Sequence, residues 1–197
     1  MLLTRIPDSW VWIRWDLPAR LLPFAALYTI AYRLTSGAPW LGFGLGNLRV
    51  QLVFALIAAP LMFAAAVGVQ RWLTLRRHVL SVPANGGDAW FQTAFYVLNG
   101  PIEEAFFRGL MQGELGAAWG PAAGFVVATF VYVVYHRLGR WPWPDTVATS
   151  LVGVPLGLAF WLLPGPTSLL GVSIAHIAAT CGFLGPGPYL LRRIRLL

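Results

Sequence analysis

Long apolar runs, broken at short intervals by arginine, proline and glycine, set the outline of this chain. Val50 to Val69 carries no charged residue, and at about 20 residues it can cross a bilayer as a helix. Pro121 to Tyr135 is a second uncharged run, ending in His136, Arg137 and Arg140. From Thr146 to Leu191 no formally charged residue occurs, a length sufficient for two spans that Pro164-Gly165-Pro166 divides. Leu21 to Tyr32 is shorter, and spans only if it extends back towards Leu17 or on past Arg33, whose side chain can snorkel. Between these runs the polar and turn-forming residues gather. Thr35 to Arg49, with its Gly42-Phe43-Gly44-Leu45-Gly46 tract, reads as a loop; Arg71, Arg76, Arg77 and His78 read as a solvated basic loop; Pro83 to Asp88 reads as a turn-rich link.

From Ala89 the chain is apolar again, and Asn99-Gly100-Pro101 interrupts it. Either a helix kinks at Pro101, or one ends near Leu98 and another begins with Gly100 as cap and Pro101 at its first position. That helix is expected to run to about Gly116, before a turn over Ala117 to Gly120. Gly109 and Gly113, and again Gly153 and Gly157, are four apart and offer close helix approach. Trp141-Pro142-Trp143-Pro144 reads as a stiff interfacial linker, with Asp145 as the N-cap of the next helix. At the other end Trp10, Trp12 and Trp15 alternate with Arg14 and Asp16, the pattern of a short segment lying in the headgroup region. The expected fold is an all-α polytopic transmembrane bundle of about six spans plus this interfacial N-terminal segment, forming a single domain over 1–197.

Composition narrows the class. The chain is 58% hydrophobic and only 11% charged, with mean hydropathy +0.68, too apolar for an ordinary soluble domain. The net charge of +7 does not point to nucleic acid, because the arginines stand singly or in small clusters between apolar runs. Six spans would put Arg5, Arg14, Arg20, Arg71, Arg76, Arg77, Arg137, Arg140, Arg192, Arg193 and Arg195 on one side, with only Arg33 and Arg49 opposite. By the positive-inside rule both termini are then cytoplasmic. All 14 basic residues are arginine, which with the high alanine, glycine, proline and tryptophan content suggests a bacterial source and its inner membrane. The first twenty residues hold Arg5, Asp8, Arg14, Asp16 and Arg20, and so do not read as a cleavable signal peptide. Cys181 stands alone, and reads as apolar filler on a buried helix.

One stretch carries chemistry. Pro101-Ile102-Glu103-Glu104-Ala105-Phe106-Phe107-Arg108-Gly109 places two carboxylates and a guanidinium inside an apolar run. On a helix Glu104 and Arg108 are an i,i+4 pair able to form an ion pair, whereas Glu103 points about 100° away. A spare carboxylate at membrane depth marks a functional site whose partners lie elsewhere. Two histidines qualify. Counted at 1.5 Å per residue, Glu103 and His136 lie about 20 and 24 Å from the turn that joins their helices. His176 lies roughly 15 Å past Pro166, from a turn on the same side. One glutamate and two histidines from three helices can therefore share a layer.

These residues resemble the motifs of the CPBP family of CAAX proteases and bacteriocin-processing enzymes, also called Abi, which includes the Ras-converting CAAX endopeptidase. The first motif, Glu-Glu-x-x-x-Arg, is matched by Glu103, Glu104 and Arg108. The second, Phe-x-x-x-His, is matched at His136 with Tyr132 in place of Phe. The third, His-x-x-x-Asn, is matched at His176 with Thr180 in place of Asn. The resemblance covers about residues 89–181, and implies an intramembrane endopeptidase acting on membrane-associated peptides. It implies that Glu103 activates a water, that His136 positions the water or shuttles the proton, and that His176 with Thr180 stabilises the oxyanion. Glu104, Arg108 and Tyr132 would support the site.

The implied mechanism needs no cofactor; Glu103, His136 and His176 are also a zinc-ligand set, which is the alternative. His-Glu-x-x-His is absent, Gly171-Val172-Ser173-Ile174 lacks the second glycine of a Gly-x-Ser-Gly site, and Asp88 and Asp145 lie in or beside loops. The runner-up from another class is a membrane binding or scaffold protein with a degenerate site. A small proton-coupled transporter stands third, since no internal repeat is evident. The expected partners are membrane lipid and a hydrophobic peptide, and not nucleic acid.

Overall fold

The computed structural model describes residues 8–77 and 82–196, so Arg5 and His78 lie outside the described residues. Those residues are helical throughout, with short connections. Helix α1 (Trp10–Asp16) runs through a π-helical stretch (Leu17–Leu21) into α2 (Leu22–Leu34). After a 3-10 turn (Pro39–Leu41) comes α3 (Leu48–Arg77), then α4 (Gly86–Glu104). A second π-helical stretch (Ala105–Gly113) leads into α5 (Glu114–Trp119). The remainder is α6 (Pro121–Tyr135), α7 (Trp143–Ala148), α8 (Ser150–Leu162), α9 (Leu170–Phe183) and α10 (Pro186–Arg193).

Apolar side chains point outward as well as inward. Leu52, Val53, Leu56, Ile57 and Leu61 form an exposed strip on α3, the inverse of a soluble protein and what a lipid-facing helix presents. Among the described residues, Leu48–Arg76, Pro121–Gly139 and Trp143–Leu162 are long and apolar enough to cross a membrane. The bent pair α9 and α10, which meet at 41°, makes a fourth candidate. The helix from Gly86 carries Asp88, Glu103, Glu104 and Arg108, and the continuous helix that ends with α2 carries Arg14, Asp16, Arg20 and Arg33. Those two of the six expected spans therefore do not meet the same length and composition test.

Some expectations change. Helix α3 runs on to Arg77, so Arg71, Arg76 and Arg77 stand on its last turns and not in a loop. The N-terminal tryptophan segment, with Trp10, Trp12 and Trp15 exposed, is the start of a continuous helix through α2. It is tied down by Ser9, whose backbone N–H donates to Asp88 Oδ1 at 3.1 Å and whose hydroxyl bonds the same oxygen. The helix does not end near Leu98: Pro101 lies inside α4, and a π-helical stretch begins four residues later at Ala105. Such stretches fall often at functional sites. Asp145 is not a cap: Pro142 occupies that position, and Asp145 sits in the first turn of α7, where a carboxylate still complements the helix dipole.

Glycines set the close approaches, as their spacing suggested. A Cβ at Gly109 would lie 2.6 Å from Leu41 O and from the Tyr28 ring, and one at Gly113 would lie 2.6 Å from Trp40 O. Gly153 and Gly157 take the rings of Tyr132 and Phe125 respectively. Gly171 lets α9 settle on Gln51 of α3, whose Oε1 accepts from the Gly171 N–H at 3.1 Å. Gly100 opens α4 to Ile177 of α9. The last contact is what brings Glu103 and His176 together.

Candidate active site

Glu104 and Arg108 are both fully buried. Arg108 Nε lies 3.4 Å from Glu104 Oε2, the i,i+4 pair expected from the sequence. The guanidinium also donates to Gly153 O at 2.9 Å and to Thr129 Oγ1 at 3.3 Å, and its carbon lies 5.1 Å from the centre of the Tyr132 ring. It thereby ties the π-helical stretch to α6 and α8. Glu104 has a second partner that periodicity could not show: its Oε1 lies 2.7 Å from His176 Nδ1. A carboxylate accepts, so Nδ1 carries the proton and Nε2 is the atom His176 presents to the site. The Tyr132 hydroxyl lies 3.4 Å from that Nε2.

Glu103 is 3% exposed and sits on the other side of the imidazole, with Oε2 3.5 Å from His176 Nε2. Its other oxygen is paired with Arg20 Nη1. From the sequence Arg20 reads only as a flanking charge, yet it is a hub. Its Nε donates to Asp16 Oδ1 at 2.8 Å, Nη2 donates to Asp16 Oδ2 at 2.5 Å and to Asn99 Oδ1 at 2.6 Å, and Nη1 reaches the Tyr135 hydroxyl at 3.3 Å. Asp16, Arg20, Asn99 and Tyr135 join the site only in the structure. The available signal was a second charged pair at i,i+4, Asp16 and Arg20, beside an apolar run.

His136 begins the 3-10 turn after α6, and its Nδ1 donates to Tyr132 O at 2.8 Å. A backbone carbonyl has no proton to give, so Nε2 of the neutral ring bears the lone pair. The ring is held among Tyr132, Tyr135 and Trp141. Thr180, half-buried, lies one helical turn beyond His176 on α9. Glu103, Tyr132, His136, His176 and Thr180 all line one cavity of about 940 Å³, together with Arg20 and Asn99. Most of its remaining wall is apolar, from Trp12, Trp15, Leu61, Met62, Leu151 and Phe183 among others. Among the described residues, no three His, Cys, Asp or Glu side chains come together closely enough to hold a metal ion.

Glu103, His136 and His176 thus line one apolar-walled cavity, in the chain order and helix context of the resemblance. Residues 85–181 match the model of the family described as type II CAAX prenyl endopeptidase Rce1-like. Over this segment, just under half of its length, the chain is similar to that family. No curated relative and no solved structure matches it. The Rce1-like segment holds Asn99, Glu103, Glu104, Arg108, Tyr132, His136, His176 and Thr180, whereas Asp16 and Arg20 precede it. Helices long and apolar enough to cross a membrane, together with the Rce1-like segment, point to an integral membrane protein with a protease-like core.

Proposed function

We propose that the protein is an intramembrane endopeptidase in which Glu103 is the general base. The observation that carries this reading is the 3.5 Å approach of Glu103 Oε2 to His176 Nε2 inside a chamber that His136 also lines. In the reaction Glu103 takes a proton from a water, whose oxygen bonds to the peptide carbonyl carbon. The carbonyl π pair moves onto its oxygen. When the tetrahedral intermediate collapses, the C–N bond breaks and the nitrogen takes up a proton, relayed from Glu103 with the help of His136. One water is consumed, and a carboxylic acid and an amine leave. His136 suits the relay because its Nε2 lone pair is free while Nδ1 is fixed on Tyr132 O. His176, anchored by Glu104, keeps its Nε2 towards Glu103.

The reading includes a metal-free mechanism, a hydrophobic or membrane-associated peptide substrate, and a surrounding of membrane lipid. It also includes six spans, a bacterial inner membrane and cytoplasmic termini, for which the arginine asymmetry of the flanks is the support. The apolar wall of the chamber suits a substrate with a hydrophobic segment or lipid tail.

The test is hydrolysis, by purified protein in proteoliposomes, of an internally quenched prenylated CAAX peptide and its unprenylated counterpart. Wild type is expected to cleave, with turnover falling by about 10²–10⁴ in Glu103→Gln and surviving a strong chelator. Retained turnover in Glu103→Gln would sink the glutamate base, and chelator-sensitive activity with bound zinc would replace the metal-free mechanism. The scaffold reading, favoured by Arg20 occupying the Glu103 carboxylate, predicts peptide binding without cleavage by wild type.

A further inference from the structure

Water attack on a peptide carbonyl leaves negative charge on the former carbonyl oxygen, which requires a donor already in place. The chamber offers few that are not engaged. The Arg20 guanidinium uses all of its N–H groups on Asp16, Asn99, Glu103 and Tyr135. His136 Nε2 is a lone pair in the neutral ring, and His176 Nε2 faces Glu103 and the Tyr132 hydroxyl. Thr180 has only a short, rotating hydroxyl.

Asn99 is different. It is 4% exposed, lines the chamber, and stands four residues before Glu103 on α4, so both side chains share a face. Because a guanidinium cannot accept a hydrogen bond, the Asn99 atom 2.6 Å from Arg20 Nη2 is the amide oxygen. This fixes the amide's orientation on chemical grounds rather than by fit. The Nδ2 group, with two N–H bonds, is then turned away from Arg20, and among the described residues it donates to no acceptor.

We propose that Asn99 is the oxyanion donor of this enzyme, held with its N–H groups outward by Arg20. The assignment rests on the endopeptidase reading above. It makes Asn99 a catalytic residue and Arg20 a positioning residue, and gives Thr180 a minor part.

The decisive variant is Asn99→Asp, which keeps an acceptor for Arg20 and removes the donor; Asn99→Ala removes both, and Thr180→Val tests the competing hydroxyl. Each is compared with wild type on the quenched prenylated peptide, and by affinity for a phosphonamidate analogue that mimics the charged tetrahedral centre. In Asn99→Asp and Asn99→Ala, kcat is expected to fall about 10²–10³ with little change in KM. Analogue binding should weaken in parallel while the parent peptide binds as before, and Thr180→Val should stay within about fivefold of wild type. Wild-type kcat in Asn99→Asp would overturn the assignment, because the residue would then act only by anchoring Arg20. An equal loss in Thr180→Val, or unchanged affinity for the analogue in both Asn99 variants, would overturn it too. Glu103→Gln serves as the separate control. Its retained turnover would remove the general base of the preceding reading while leaving the donor to be judged by analogue affinity.

Discussion

His176 Nδ1 stands 2.7 Å from Glu104 Oε1, so the second carboxylate of the Glu-Glu pair grips an imidazole as well as Arg108. Its part is therefore wider than the helix-holding ion pair its spacing suggests. Glu104→Gln is expected to lower both stability and activity. It leaves the Arg108 charge, 0% exposed, without its carboxylate, and breaking a buried pair costs about 3–5 kcal/mol. It also removes the anion that fixes the His176 tautomer. Melting in detergent and turnover in proteoliposomes check this together. Unchanged melting would mean that Thr129, Gly153 O and the Tyr132 ring carry Arg108 by themselves.

Arg20 joins the N-terminal helix to the site, and its removal should act on turnover more than on substrate binding. In Arg20→Ala the Glu103 carboxylate and the Asn99 amide both lose their anchor, and kcat is expected to fall about 10- to 100-fold from misplacement alone. Ser9 and Asp88 still dock the segment, so the fold should persist. Arg20→Lys should recover only part, since an ammonium group has three donors and no planar fork with which to span Asp16, Asn99 and Glu103. Full recovery with lysine would reduce the requirement to charge, and a rise in turnover in Arg20→Ala would recast the ion pair as a brake.

Gly109 tests the packing beneath the site. A methyl group there would meet Leu41 O and Tyr28 at 2.6 Å. The first is backbone and cannot give way, so Gly109→Ala is expected to destabilise by about 1–3 kcal/mol. Gly68→Ala, at a position with nothing within 4 Å of the added Cβ, should instead be neutral or stabilising by up to about 1 kcal/mol. Paired thermal melts decide it, and equal melting temperatures would show that the contact between the π-helical stretch and Leu41 yields.

Local periodicity made part of this site legible. The Glu104 and Arg108 pair follows from helical spacing alone, and the glycine seams at Gly109, Gly113, Gly153 and Gly157 were readable because an absent Cβ needs no knowledge of its neighbour. The convergence of Glu103, His136 and His176 on one chamber could be anticipated from depth, since each helix advances by a fixed rise. The π-helical stretch after Glu104 had no such signal.

By itself, then, the sequence determined an all-α membrane chain, where its apolar runs begin and end, and which side chains share a helical face, because those properties depend on residues within a few turns of one another. Only the tertiary structure decided which faces meet. Arg20 and Glu103 are 83 positions apart, His176 and Glu104 are 72 apart, and Asn99 acquires a fixed amide orientation only because Arg20 arrives beside it. A charge on an apolar helix announces that it needs a partner, but the partner's identity is set by how the helices pack.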